Sequence, residues 1–270
     1  GLNYLVEHGA PTSQGIRFCS DSRQQSNFYV HGLATIALCE ALAMTQDVRL
    51  RPAAEGAVQF IAANQHSQGG WRYFPGQPGD TSVVAWQVMG LKSAQFSRVT
   101  VSAKVMKGIE SFLQSVQSDR GSRYAYLPRE RDRPRPSMTA AGLLCRMYLG
   151  WRENSIGIKS GVRYLDELGP SRDDMYYNYY ATQVLHHWGG EEWDRWNAVM
   201  REHLVRTQRQ DGHAAGSWDV TDPHGGPGGR LYMTTLAITT LEVYYRHLPL
   251  YNRDLIELPL EGDPTGLESP

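Results

Sequence analysis

Apolar residues recur along this chain at the three- and four-residue spacing of amphipathic helices, in paired stretches joined by loops rich in glycine and aromatic residues. The pairs return about every 50 residues, which predicts five helical hairpins. The first helix of each pair is predicted over 1–9, 52–65, 102–117, 157–168 and 194–208. The second is predicted over 29–44, 80–95, 137–150, 177–188 and 231–246. Strand patterns are nearly absent, so the predicted fold class is all-α.

The second helices are richer in apolar and small residues than the first, as in the stretch HGLATIALCEALA at 31–43. A helix that is apolar around most of its surface is normally buried. The second helices are therefore expected on the inside of an α/α toroid, a barrel of helical hairpins. Five hairpins either close this ring or form an incomplete six-hairpin ring. Asp80 and Ser137 are predicted to cap the N-termini of two inner helices.

One motif occurs twice, each time at the end of a first helix and in the loop that follows. The first copy consists of Gly56, Phe60, Gln65, Gly69 and Trp71. The second copy consists of Gly108, Phe112, Gln117 and Gly121, and a fainter one of Gln208, Gly216 and Trp218. The glutamine is suited to bond backbone groups at the helix end, and the tryptophan to fill the gap before the next hairpin. This interpretation gives the motif a structural role.

The motif resembles the QW motif of the squalene-hopene and oxidosqualene cyclases, whose α/α barrel domains are related to protein prenyltransferase β subunits. In those cyclases an aspartic acid of a DxDD-type motif protonates a long isoprenoid. The reaction takes place in a cavity whose aromatic rings stabilise carbocations. The resemblance therefore implies an α/α toroid and an isoprenoid-like apolar ligand.

This chain departs from the chemistry of both families. In the stretch QPGD at 77–80 the proton donor of the cyclase motif falls on Gly79, and only its last aspartate, Asp80, is present. Asp80 is the candidate catalytic residue if burial raises its pKa, and a helix cap is the alternative role. Ser82 and Met233 stand where prenyltransferases place the cysteine and histidine ligands of zinc. Because zinc prefers thiolate and imidazole, no metal or cofactor is predicted.

Aromatic residues are concentrated in the loops and first turns that lead into the second helices. In a toroid these positions lie at one end of the central cavity, which predicts a cavity lined by phenol and indole rings. The candidate ligand-binding residues are His31, Trp71, Tyr73, Trp86, Tyr176, Tyr177, Tyr179, Trp218 and Tyr232. Packing between hairpins is the alternative for each of them.

Charge and cysteine content narrow the functional classes. The formal net charge is −1, so the basic surface that nucleic acid requires is not expected. No apolar run reaches the roughly 18 residues of a transmembrane helix. The cysteines lack metal-ligand spacing, and His213, Asp222 and His224 are only a weak candidate metal site. The compartment is left undetermined.

The chain starts with neither an initiator methionine nor a signal peptide, which predicts that it belongs to a longer polypeptide. Residues 1–250 are predicted to form the toroid, and 251–270 an extended acidic tail or linker. The predicted function is noncatalytic or diverged binding of an isoprenoid-like ligand or a protein segment in the aromatic cavity. The alternatives are an isoprenoid cyclase or lyase that uses Asp80, and a protein-interaction platform within the larger polypeptide.

Overall fold

Helices account for most of the residues that the structure describes, which are 1–19, 27–222 and 225–244 of a computed structural model. The first five helices are α1 (Leu2–His8), α2 (Asn27–Thr45), α3 (Arg51–Ala63), α4 (Thr81–Phe96) and α5 (Ala103–Val116). The others are α6 (Pro136–Tyr148), α7 (Ile156–Leu168), α8 (Met175–Trp188), α9 (Gly190–Thr207) and α10 (Gly225–Leu241). The all-α prediction is confirmed, and the predicted helices are present with bounds that differ by a few residues.

The middle three of the second helices, α4, α6 and α8, are mostly buried, as the apolar pattern predicts. Helices α2, α4, α6, α8 and α10 pack against one another in chain order. Every residue from Thr81 to Ala94 of α4 is buried, whereas α5 buries only one face. Helix α4 therefore has neighbours all round, and the outer helix α5 has one apolar stripe directed inwards.

Two short antiparallel strand pairs are present that the sequence pattern does not predict. Strand β1 (Ala10–Thr12) pairs with β2 (Gly15–Arg17), which packs on α3. Strand β3 (Gln117–Ser118) pairs with β4 (Arg123–Tyr124) in the loop between α5 and α6. Strands of two or three residues are too short to show apolar alternation in a sequence.

The motif joins consecutive hairpins by hydrogen bonds to backbone. Gln65 Nε2 donates to the carbonyl oxygens of Gly69, at 2.9 Å, and of Val105 in the next outer helix, at 3.0 Å. Trp71 Nε1 donates to the carbonyl oxygen of Ile61 at 2.8 Å. The first copy thus bonds backbone as predicted, but the second does not: Gln117 Nε2 donates to the side chain of Gln114, and Gln117 Oε1 accepts from Arg146.

The faint third copy makes the corresponding bonds within its own hairpin. Gln208 Nε2 donates to the carbonyl oxygen of Gly216 at 3.0 Å, and Trp218 Nε1 to that of Leu204 at 2.9 Å. In the first and third copies, the tryptophan thus donates in the same way to a carbonyl oxygen near the end of the preceding helix.

Glycines provide the close contacts between hairpins. Gly69 has φ +90° and lies against the carbonyl group of Gly108, so a Cβ at Gly69 would overlap that oxygen. Gly15, with φ +117°, lies in the same way against the carbonyl oxygen of Gly56. The glycines of the motif thus allow backbone to approach backbone where any side chain would hold the hairpins apart.

The predicted N-cap of α4 is confirmed, and that of α6 is wrong. Asp80 Oδ1 accepts a hydrogen bond from the Val83 amide at 2.9 Å. Helix α6 begins at Pro136 instead, with Arg135 in the cap position and no side-chain cap. Proline is favoured at a first helical position because its φ is already helical, and the amide hydrogen that it lacks would have no partner within the helix. Ser137 therefore lies inside the first turn.

Helix α2 is the one described helix that is long and apolar enough to cross a membrane. Half of its most apolar stretch is buried inside the protein, as in an ordinary core helix, so this is weak evidence for a membrane span. The predicted helix end at 245–246 and the predicted tail at 251–270 lie outside the described residues.

We expect Gln65→Ala to lower the free energy of unfolding by about 2 kcal/mol, because two carbonyl oxygens between hairpins lose their donor. The matched control is Gln208→Ala, whose side chain bonds only within its own loop as far as the structure describes. A loss of roughly 1 kcal/mol or less is expected there. Urea denaturation of both variants tests this, and equal losses would contradict a joining role for Gln65.

Candidate functional site

Five half-buried tyrosines come together at the end of the protein where the inner helices begin. We call Tyr29, Tyr73, Tyr126, Tyr176 and Tyr232 the tyrosine cluster. They come from the first turns of α2 and α8, from α10 just after its kink at Gly229, and from the loops that precede α4 and α6. The meeting of first-turn and loop aromatics at one end was predicted from their positions in the chain.

The hydroxyl groups of the cluster are connected to one another. Tyr29 donates to Ser82 Oγ at 2.9 Å, and Ser82 Oγ lies 2.6 Å from the Tyr176 hydroxyl. The hydroxyls of Tyr73 and Tyr126 are 2.5 Å apart. The two bonds of Ser82 connect α2, α4 and α8, which are distant in sequence, and the bond between Tyr73 and Tyr126 connects two loops.

A buried carboxyl group lies behind the cluster. Asp80 is fully buried, and its Oδ2 is 3.5 Å from Nε of Arg72. The Arg72 guanidinium also lies over the rings of Tyr73 and Tyr126, at 5.1 and 5.9 Å. Burial raises the pKa of Asp80 to about 6, an effect only partly offset by the hydrogen bond from Val83 and by Arg72.

Four phenols of the cluster stay protonated at physiological pH. Burial raises the pKa of Tyr29, Tyr126, Tyr176 and Tyr232 well above the ordinary value for tyrosine, and nearby carboxylates raise it further. The cluster therefore acts through neutral hydroxyls that donate and accept hydrogen bonds, and through ring faces.

Side chains fill the space between α4 and α8 below the cluster. Trp86 stacks on Tyr179 with ring centroids 5.5 Å apart, and Tyr180 meets the same indole edge-on at 5.8 Å. The Tyr179 hydroxyl reaches Met89 Sδ at 4.0 Å. Of the predicted cavity residues, Trp86 and Tyr179 thus pack against each other beneath the cluster.

Four other predicted cavity residues lie away from the cluster and have structural partners. His31 is buried between α2 and α3, where its nitrogens bond the Phe18 amide and the Ala57 carbonyl. Tyr177 packs on Trp196 and donates to the Gly169 carbonyl oxygen. Trp71 and Trp218 make the motif bonds described above. These four side chains therefore have the alternative role given in the sequence analysis, which is packing within the fold and not lining a cavity.

The sequence analysis did not select four residues that belong to this site as candidates. They are Tyr29, Arg72, Ser82 and Tyr126. Tyr29 and Tyr126 occupy the same kind of first-turn or loop position as the selected aromatics, so that signal was present. The roles of Arg72 and Ser82 depend on contacts across the fold, which no local pattern shows.

The weak candidate metal set is not assembled in the described residues. Asp222 Oδ2 accepts hydrogen bonds from the amides of Met175 and Tyr176, at 2.8 and 3.3 Å, and so caps α8. No three His, Cys, Asp or Glu side chains in the described ranges gather where they would hold a metal ion. His224 lies outside those ranges.

No protein-family model matches this sequence, and no curated protein matches it as a relative. The resemblance to the cyclases and prenyltransferases therefore depends on the motif residues alone.

Proposed function

We propose that this chain is a ligand-binding α/α toroid that holds an apolar, isoprenoid-like molecule against the tyrosine cluster. The observation that carries the proposal is the meeting of five half-buried phenols from five separate segments at one end of the inner helices. Aromatic rings attract apolar chains, and hydroxyls at the same place fix the position of a polar end.

Two observations place residues of the last hairpin near the first. At the cluster end, Tyr232 of α10 is close enough to Tyr29 of α2 to contribute to its raised pKa, after burial and two aspartates. At the opposite end, Val243 after α10 packs against Ala43 of α2 and Phe96 of α4. The last hairpin thus approaches the first, although α10 does not pack along α2 as α4, α6 and α8 pack on their neighbours.

The position of Asp80 favours binding over catalysis. A general acid must contact the group that it protonates. Asp80 is fully buried, caps α4 through one oxygen and faces Arg72 with the other. Its raised pKa is the single feature that favours the alternative, an isoprenoid cyclase or lyase.

Native mass spectrometry of the chain with squalene and shorter polyprenyl compounds tests the proposal. We expect the chain to capture one or more of these molecules, and the variants Tyr73→Ala and Tyr176→Ala to bind at least about tenfold more weakly, since each removes a ring face from the site. Tyr4→Ala is the matched control, because Tyr4 is an exposed tyrosine of α1 that stacks on His8, outside the cluster.

Three outcomes would count against the proposal. Absence of capture would contradict a lipid site, and equal weakening by Tyr4→Ala would show that binding does not depend on the cluster. Conversion of a polyprenyl compound by the chain, lost in Asp80→Asn, would favour the enzyme alternative.

A further inference from the structure

A buried lysine lies near the end of α4 that is opposite the tyrosine cluster. Lys92 is 6% exposed, and it lies about 15 Å along the helix from Ser82, the residue of α4 that bonds the cluster. Lysine is rarely buried without a carboxylate partner, because its ammonium group loses its hydration there. The tyrosine cluster makes no use of this amine.

The described surroundings of Lys92 provide no partner of opposite charge. Helices α2, α3, α5 and α6 pack on α4. Among the described residues, the one charged group that affects the pKa of Lys92 is Arg152, in the loop after α6, and it is also a cation. The ring of Phe96, whose centroid is 5.2 Å from Nζ, attracts an ammonium group less strongly than a carboxylate would. A protonated Lys92 is thus both dehydrated and next to a like charge.

These surroundings favour the neutral amine. Burial, with a smaller contribution from Arg152, lowers the pKa of Lys92 from 10.5 to about 8. At pH 7.4 about one amine in five is then unprotonated, against about one in a thousand for a hydrated lysine. A neutral amine is a nucleophile, and burial or a neighbouring cation is a common way of activating a lysine.

We propose that Lys92 binds carbon dioxide as a carbamate whose negative charge pairs with Arg152. In this reaction the lone pair of the neutral Nζ forms a bond to the carbon of carbon dioxide. One pair of C=O electrons moves to oxygen, and the nitrogen releases a proton to water. The site lies at the other end of α4 from the tyrosine cluster, so the proposal does not depend on the proposed function.

Charge and size select carbon dioxide among carbonyl electrophiles. A carbamate is an anion, so the reaction replaces two neighbouring cations by an ion pair, and the guanidinium of Arg152 stays charged whatever else it contacts. An aldehyde would give a neutral or cationic imine, and a thioester would give a neutral amide, so neither product would pair with Arg152. Carbon dioxide is also small and uncharged, which allows it to reach an amine that is almost fully buried.

Carbon-13 NMR of the full chain, equilibrated with carbon-13-labelled carbon dioxide, tests the proposal without a reagent that must enter the protein. We expect a carbamate signal that is lost in Lys92→Met. The matched controls Lys104→Met, Lys107→Met and Lys159→Met remove exposed lysines of the outer helices α5 and α7 and should keep it. At a fixed pressure of carbon dioxide the signal should grow as pH rises through about 8, since the amine loses its proton over that range.

Arg152→Gln tests the ion pair. This variant should hold the carbamate about fivefold more weakly, because the anion loses its counter-charge. Arg163→Gln, which removes an exposed arginine of α7, is the matched control and should leave the carbamate signal unchanged. Thermal unfolding followed by circular dichroism checks that each variant folds.

Three results would contradict the proposal. If the original chain and Lys92→Met gave the same carbamate signals, as the N-terminal amine alone could produce, Lys92 would not be the site. A signal shared equally among the four lysines would show that burial does not activate Lys92. Unchanged carbamate binding in Arg152→Gln would overturn the role assigned to Arg152.

Discussion

Gly69→Ala is expected to lower the free energy of unfolding by about 4 kcal/mol. Gly69 has φ +90°, which costs an alanine roughly 1–2 kcal/mol. The added Cβ would also overlap the carbonyl group of Gly108, so the hairpins on either side must separate, at a further cost of about 1–3 kcal/mol. This glycine lies between two hairpins, and the strain therefore spreads to both.

Gly76→Ala is the control that separates the two effects. Gly76 also has a left-handed backbone, with φ +76°, but a Cβ there would meet nothing within 4 Å. Only the conformational cost of roughly 1–2 kcal/mol is expected. Urea denaturation of both variants measures the difference. Equal destabilisation would show that the contact with Gly108 contributes nothing and that the hairpins have room to adjust.

Two buried groups are expected to give stability opposite dependences on pH. Burial lowers the pKa of His31 from 6.5 to about 4, so the unfolded chain takes up a proton first and stability falls as pH decreases from 6.5 to 4. Burial raises the pKa of Asp80 from 3.8 to about 6, so the folded chain holds a proton longer and stability falls as pH increases from 3.8 to 6. Each effect amounts to about 3 kcal/mol, and between pH 4 and 6 they largely cancel.

Single substitutions should reveal each contribution. In Asp80→Asn the free energy of unfolding should rise with pH between 4 and 6 more steeply than in the original chain, by about 3 kcal/mol over the interval. In His31→Gln it should fall over the same interval by a similar amount. Chemical denaturation at a series of pH values gives both slopes. If either variant kept the slope of the original chain, that residue would not be titrating where its burial indicates.

Much of the fold follows from local signals in the sequence. Inner helices such as α4 are long and apolar, and outer helices such as α5 have one apolar stripe, so both were predictable from periodicity. The hydrogen bonds of Gln65 and Trp71 to backbone carbonyls were predictable, because a polar side chain and a large ring at a helix end have few roles other than bonding and covering that end. The start of α6 was predicted incorrectly because Pro136 outweighs the capping preference of the serine that follows it.

The candidate site was less predictable, because its residues meet across the fold. The sequence places many aromatic residues near the inner helix starts, but it does not distinguish Tyr176, which joins the cluster, from Tyr177, which packs on Trp196. These two are adjacent in the chain and differ only in the face of α8 that they occupy. Likewise, no pattern indicates that Arg72 approaches Asp80, since that contact depends on the fold of the loop before α4.

The parallel arrangement of the inner helices makes the protein electrically polar from one end to the other. Each helix carries a partial positive charge of about one half at its N-terminus, so five parallel N-termini place roughly two and a half positive charges at the tyrosine end. Three aspartates bond amides at two of these N-termini: Asp80 at α4, and Asp174 and Asp222 at α8. Together with the charge of Arg72, which faces Asp80, the summed dipoles are nearly balanced by the three carboxylates. The carboxylates beside the cluster thus serve as counterions to the helices, and the site between them is left close to neutral.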